Sequence, residues 1–191
     1  MKKKLFTVYF ALLLSVMIIC PVFAAGDLPR LVDVADLLSD YEETALLEEL
    51  DEISERQQTD IVVVTVDSLE GESVMDYADD FYDYYGYGFG DERDGILLLI
   101  SMEERDWYIS TSGFGITALT EAGLTYLSQA FQSDLQEGDY AAAFTTFAVG
   151  CNDLVAQART GEPYGAEVFS RGRFPSAQVL RLHWVWALLF H

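Results

Sequence analysis

The side chains most able to do chemistry in this chain are its carboxylates. There are 32 Asp and Glu residues against 11 Lys and Arg and only two His. Three acids stand at the ends of expected elements, beside turns or glycines: Asp33 (with Asp36 as its neighbour), Asp94 and Glu121. If a compact sheet brought these oxygens together, they would suit a hard cation, Ca²⁺ or Mg²⁺. No EF-hand spacing is present, so such a site would be assembled from separate loops. Each acid also has an ordinary reading: Glu121 as a favourable charge at a helix start, Asp94 as a turn residue before Gly95, and Asp33 as a cap.

Other chemistries fail on residue type. Both histidines, His183 and His191, lie in the last stretch of the chain, away from any Ser or Cys a base would serve. Tyr85-Gly86-Tyr87-Gly88-Phe89-Gly90 is glycine-rich, but no Lys-Ser/Thr pair follows it, which excludes a phosphate-binding P-loop. Two cysteines, Cys20 and Cys151, support neither a disulfide framework nor a thiolate zinc site.

The elements that must position the acids centre on Asp91–Gly115. Ile96-Leu97-Leu98-Leu99-Ile100-Ser101 is an apolar run suited to a strand covered on both faces. The charged tip Met102–Asp106 turns the chain into Trp107–Ser112, which alternates apolar and polar. This predicts an antiparallel hairpin whose open end carries Gly95, Gly113 and Gly115 beside Asp94. Glycines occur where backbone bends or approaches something closely, so the glycine end is the first candidate site.

Before the hairpin, Pro29 opposes helix in the opening segment 27–38. Ser39 and Glu42 form a capping box for a helix from about Asp40 to Gln58, with Leu46, Leu47, Leu50 and Ile53 inward. Asp60–Asp67 is the strongest strand signal, and Ser73–Tyr85 a tyrosine-rich helix with glycines at its end. After the hairpin, a helix runs from Thr120 to about Leu135 with Leu124, Leu127, Ala130 and Phe131 inward. Asp139 then caps a last helix to Arg159 with Phe144, Phe147, Ala148, Cys151, Leu154 and Val155 on its apolar stripe. The order helix, strand, helix, strand, strand, helix, helix fits a sheet covered on both faces.

The termini differ in composition. Lys2-Lys3-Lys4 followed by Leu5–Phe23 reads as a secretory signal over residues 1–25, the other reading being an uncleaved anchor. Without it, eight arginines face 32 acids, a net charge of −24 that repels nucleic acid and anionic headgroups and favours cations. Residues 159–174 read as a linker. The apolar tail 175–191 is too short to span a bilayer and is open to three readings: an interfacial tail, a truncated membrane helix, or a frame-shifted end.

One ordered set of residues resembles a known family. Val32-Asp33 before Leu37-Leu38-Ser39, the Ile61–Val66 strand, Asp94-Gly95-Ile96-Leu97-Leu98-Leu99, Gly113-Phe114-Gly115, Leu119-Thr120-Glu121 and Gly138-Asp139-Tyr140 follow the order of the TPM domain. That family includes the thylakoid lumen acid phosphatase of photosystem II repair and many exported bacterial proteins. The resemblance covers about residues 28–158. It implies an α/β three-layer α/β/α sandwich on a small mixed sheet, extracytoplasmic, either secreted or membrane-associated, with an acidic pocket for a divalent cation. It also implies weak phosphatase activity, as in plant members. The chain departs from the family's pattern at Asp94, where Asn is common, at Glu121, where Asp is common, and at Arg93, where an acid is frequent. The function expected is therefore a binding module for an envelope or membrane protein, with a calcium or magnesium site at Asp33, Asp94 and Glu121. The alternative is a metal-assisted phosphomonoesterase.

Overall fold

The computed structural model describes residues 29–165. The expectations for the signal segment, the end of the linker and the apolar tail lie outside these residues. The elements are β1 (Leu31–Asp33), α1 (Asp40–Gln57), β2 (Asp60–Val66), α2 (Val74–Tyr85), β3 (Gly95–Ser101), β4 (Asp106–Ser112), α3 (Phe114–Ala118), α4 (Glu121–Glu137) and α5 (Tyr140–Arg159). The four strands form one mixed sheet in the order β1-β2-β3-β4. β1, β2 and β3 are parallel, and β4 returns antiparallel to β3.

The predicted hairpin is present, and all seven residues of β3 are buried. One face of β2 and β3 presents Ile61, Val63, Ile96 and Leu98 to α1, α4 and α5. The other presents Val62, Val64, Leu97 and Leu99 to Ala78 and Tyr82 of α2, with Leu69 and Tyr87 from the loops on either side of that helix. This is the expected three-layer α/β/α arrangement. α5 buries all six residues of its predicted stripe, and Trp107, Phe131 and Phe147 meet edge to face beneath it. Ala130, expected inward, is exposed, because α4 is covered along the narrower line of Leu127, Phe131 and Leu135.

Two elements were not expected. The opening segment holds β1, whose Leu31 pairs with Val63 and Asp33 with Thr65. A three-residue edge strand has no room for a period, so composition hides it. α3 is a single turn packed on α5 between Gly113 and Thr120. α1 and α2 cover opposite faces while the parallel strands step in one direction. The two crossovers therefore have opposite hands, and one is left-handed, where about 98% of such units are right-handed.

The Ser39–Glu42 box forms as expected: the Glu42 carboxylate accepts from the Ser39 N–H at 2.9 Å and hydroxyl at 2.6 Å. At the hairpin tip, exposed Glu104 does more than solvate the turn. It accepts from the hydroxyls of Ser101 and Ser68 and from the Leu69 N–H, tying β3 to the loop after β2. The Ser101 hydroxyl, followed by these other donors, holds the Glu104 carboxyl below its ordinary pKa. With the folded value depressed, the stabilisation is present above the unfolded pKa and is lost as pH falls through the folded one. The difference in urea midpoint between the wild type and Glu104→Gln should thus shrink as pH drops below about 4.5. A difference independent of pH from 7 to 3 would assign the clamp no ionic character.

Candidate functional site

The glycine end of the hairpin is closed by the protein's own atoms. Asp94 Oδ1 accepts from the Phe114 N–H at 2.6 Å, anchoring the start of α3. The Asp94 carbonyl accepts from the N–H groups of Asp60 and Phe89 at 2.9 and 2.8 Å. A methyl group at Gly95 would overlap the Tyr82 hydroxyl, one at Gly113 the Asp94 carboxylate, and one at Gly115 the Gly95 carbonyl. The close approach that these glycines allow is to the protein's own atoms: the Tyr82 side chain at Gly95, the Asp94 carboxylate at Gly113 and the Gly95 backbone at Gly115.

Asp33 lies at the other end of the sheet. It stands level with Thr65, whereas Asp94 precedes Gly95, the partner of Asp60. Those levels are five residues apart along β2, about 17 Å at 3.3 Å per residue, before the sideways offset of two strands. Asp33 Oδ2 accepts from the N–H groups of Leu37 and Leu38, each at 2.9 Å, and Oδ1 accepts from the Thr65 hydroxyl. It shapes the turn into α1, in which Asp36 takes a left-handed conformation at φ 51°. Glu121 is the first residue of α4, exposed, behind the Thr120 cap. The expected convergence of Asp33, Asp94 and Glu121 is therefore corrected: the strand register separates the first two. Among the described residues no group of three or more His, Cys, Asp or Glu side chains could hold a metal ion.

A polar cluster that sequence reasoning missed sits beside Asp94. Arg30 donates from Nε and Nη2 to Asp60 Oδ1 at 3.0 and 2.9 Å, from Nη1 to Asp51 at 2.7 Å and from Nη2 to Glu55 at 3.3 Å. Burial alone would lower the arginine's pKa; the bonds and charges of Asp51 and Asp60 outweigh it and raise it. Asp60 Oδ2 accepts from the Gly88 N–H at 2.8 Å, and the Tyr87 hydroxyl donates to the Pro29 carbonyl at 2.9 Å. Arg93, at φ 54°, donates to the Tyr87 and Tyr82 carbonyls and to Asp83 at 2.9 Å, with its guanidinium 5.2 Å from the Tyr82 ring centre. The glycine-rich loop is thus pinned to the N-terminal end of the sheet. Burial, and then the Asp60 charge, push the Tyr82 phenol far up, so it remains a neutral donor to the Arg93 carbonyl. The partners of Arg30 and Asp60 are 21 to 30 residues away in sequence, so no local spacing announces them.

An open groove lies on the outer side of α2. Tyr77, Phe81 and Tyr85 recur at i, i+4 and i+8, with ring centres 6.4 and 4.5 Å apart. They line a groove of about 580 Å³ together with Glu72, Asp80, Asp83 and Tyr84. Tyr84 is 83% exposed and meets Tyr85 edge-on at 4.9 Å. The helix carries Asp76, Asp79, Asp80 and Asp83 and no basic residue. Burial, with the charge of Glu70 behind it, raises the Tyr77 phenol pKa, so that ring presents a neutral π face at physiological pH.

Comparison with known proteins agrees with this fold. The UPF0603 protein YdjH of Bacillus subtilis (strain 168) is 29% identical over 146 residues, covering 76% of this chain and 56% of its own length. The chain thus spans about half of that relative. The solution structure of the N-terminal domain of a protein from P. gingivalis superposes with a TM-score of 0.58 at 21% identity, covering 71% of this chain and 87% of that one. The structure of the BA42 protein from the psychrophilic Bizionia argentinensis gives 0.55 at 15% identity, over 68% and 87% of the two chains. At these identities the two structures support the fold alone. A profile of the TPM domain matches residues 31–154, which takes in every element from β1 through most of α5. With its sheet, its helices and most of its length inside that match, the chain belongs to the TPM domain family.

Proposed function

We propose that this TPM domain works outside the cytoplasm as an interaction module for an envelope or membrane protein, and that the contact is made by the outer face of α2. The observation that carries the reading is the aromatic stripe Tyr77-Phe81-Tyr85 with Tyr84 beside it: Tyr77 and Phe81 are half-buried against the sheet, while Tyr84 and Tyr85 are open to water, on the one helix that, among the described residues, covers this side of the sheet. Contiguous aromatic surface left open to water marks a place where another molecule docks. The export signal read in Lys2–Phe23 supports the location. Among the described residues no helix is long and apolar enough to cross a membrane.

The phosphomonoesterase alternative would need a carboxylate free to hold a cation or activate water. Asp33 and Asp94 are instead engaged by backbone N–H groups and, for Asp33, a threonine hydroxyl. Asp94→Asn and Asp33→Asn keep an accepting oxygen at each position and so spare the fold. With an aryl phosphate and millimolar Mg²⁺ or Ca²⁺, the wild type and both variants are expected to release phosphate no faster than the protein-free blank. Metal-dependent release by the wild type that either variant removes would replace the interaction module with the enzyme.

A further inference from the structure

Resting on that reading, we infer that the α2 groove binds a cationic polypeptide segment, with arginine as the preferred side chain. Three observations converge on this chemistry. The groove walls combine three carboxylates, Glu72, Asp80 and Asp83, with four aromatic rings. A carboxylate beside an aromatic face is the pairing that holds a guanidinium, whose planar cation stacks on the ring while its N–H groups reach the acid. The groove runs along α2 from Glu72 to Tyr85, about 20 Å at 1.5 Å per residue. An extended peptide of about six residues covers that length.

The second observation is charge. α2 has four aspartates and no basic residue, and the loop before it adds Glu70 and Glu72. Asp83, in the last turn of α2, sits where the helix dipole disfavours a negative charge. Arg93 reaches one oxygen of Asp83, and a second cation at this end would add to that relief.

The third is an arginine that the helix already holds. Arg93 places its guanidinium 5.2 Å from the Tyr82 ring centre and bonds Asp83 at 2.9 Å. Asp80 and Tyr84, one turn apart on α2, carry the same pairing of carboxylate and ring along the groove. Arg93 meets only one oxygen of Asp83, whose side chain remains 73% exposed, so the outer carboxylates remain available. Lysine would bind less well: its ammonium is more strongly hydrated and does not stack.

The test titrates the full chain with a capped Gly-Arg-Gly-Arg-Gly peptide at about 150 mM salt, where long-range attraction is screened beyond about 8 Å. Its lysine and citrulline counterparts serve as probes of charge and shape. Expected are saturable binding of the arginine peptide, weaker binding of the lysine peptide, and at least tenfold weaker binding of the neutral citrulline peptide. Tyr84→Ala should weaken the arginine peptide about fivefold, and Glu72→Gln with Asp80→Asn about tenfold. Tyr126→Ala, an exposed tyrosine on α4, should change nothing. All these positions are surface sites, and an unchanged melting temperature confirms that each variant is folded. Equal binding of the arginine and lysine peptides, insensitive to Tyr84→Ala, would reduce the effect to generic attraction by an acidic surface and overturn the inference. Absence of binding to all three peptides would overturn the choice of ligand but not the interaction module. That reading fails separately, on metal-dependent phosphate release.

Discussion

Replacing Arg30 with alanine is expected to destabilise the domain by about 3 kcal/mol, lowering the melting temperature by about 6–12 °C for a chain of this size. The physical reason is Asp60. Its side chain is 13% exposed and that of Arg30 is 19%, so the pair is largely withdrawn from water. Without the guanidinium, Asp60 keeps only the Gly88 N–H to offset a desolvated charge. The outer contacts of Arg30 matter less: Asp51 and Glu55 are 49% and 63% exposed, and exposed pairs contribute about 0–1 kcal/mol each. Asp51→Asn should therefore cost under about 1 kcal/mol, while Arg30→Lys falls between, since an ammonium is a single point charge and lacks the guanidinium's fork of donors. Thermal and urea unfolding of the three variants measures the ranking. A loss with Asp51→Asn equal to that of Arg30→Ala would move the weight of the cluster from Asp60 to the surface.

Gly115→Ala is expected to cost about 3 kcal/mol or more, although it adds one methyl group at a helix position where alanine is otherwise favoured. The methyl would meet the Gly95 carbonyl, which is backbone and cannot rotate away. The start of β3 and the α3 turn would have to separate, which strains the Asp94–Phe114 bond as well. Gly138→Ala is the comparison. It too is a helix-terminal glycine, at φ 78°, but its added methyl meets nothing within 4 Å, so only the left-handed backbone is strained, about 1 kcal/mol. If the two variants unfolded at the same denaturant concentration, backbone contact between β3 and α3 would not be what Gly115 provides. The same experiment decides what the hairpin glycines are for: a ligand-approach role would leave stability untouched.

Much of the architecture was legible because burial imposes a period. β3 is covered on both faces and reads as an unbroken apolar run; α5 is covered on one and repeats Phe144, Phe147, Ala148 and Cys151 at helical spacing. Caps were legible for the same local reason, since Ser39 and Glu42, or Asp139 and the Ala142 N–H, lie within one turn. β1 was not, because three residues carry no period and its strand character comes from pairing with Val63–Thr65. The candidate site fared worst. Asp33 and Asp94 each flank a strand beside a turn, and nothing local says which end of the sheet either occupies. That depends on β1, β2 and β3 being parallel, which sets Asp33 at one end and Asp94 at the other.

By itself, then, the order of residues determined the longer strands and helices, most of the side chains that face inward, and how negative the surface is, because each follows from neighbours within a few positions. Tertiary structure alone decided the pairing of Arg30 with Asp60, the closure of the glycine end, and the hand of the two crossovers. Among the described residues it also left α2 as the one helix on its face of the sheet, with Tyr84 and Tyr85 open to water. Those outcomes depend on parallel register and on which face each helix takes, and both are set by contacts between segments tens of residues apart.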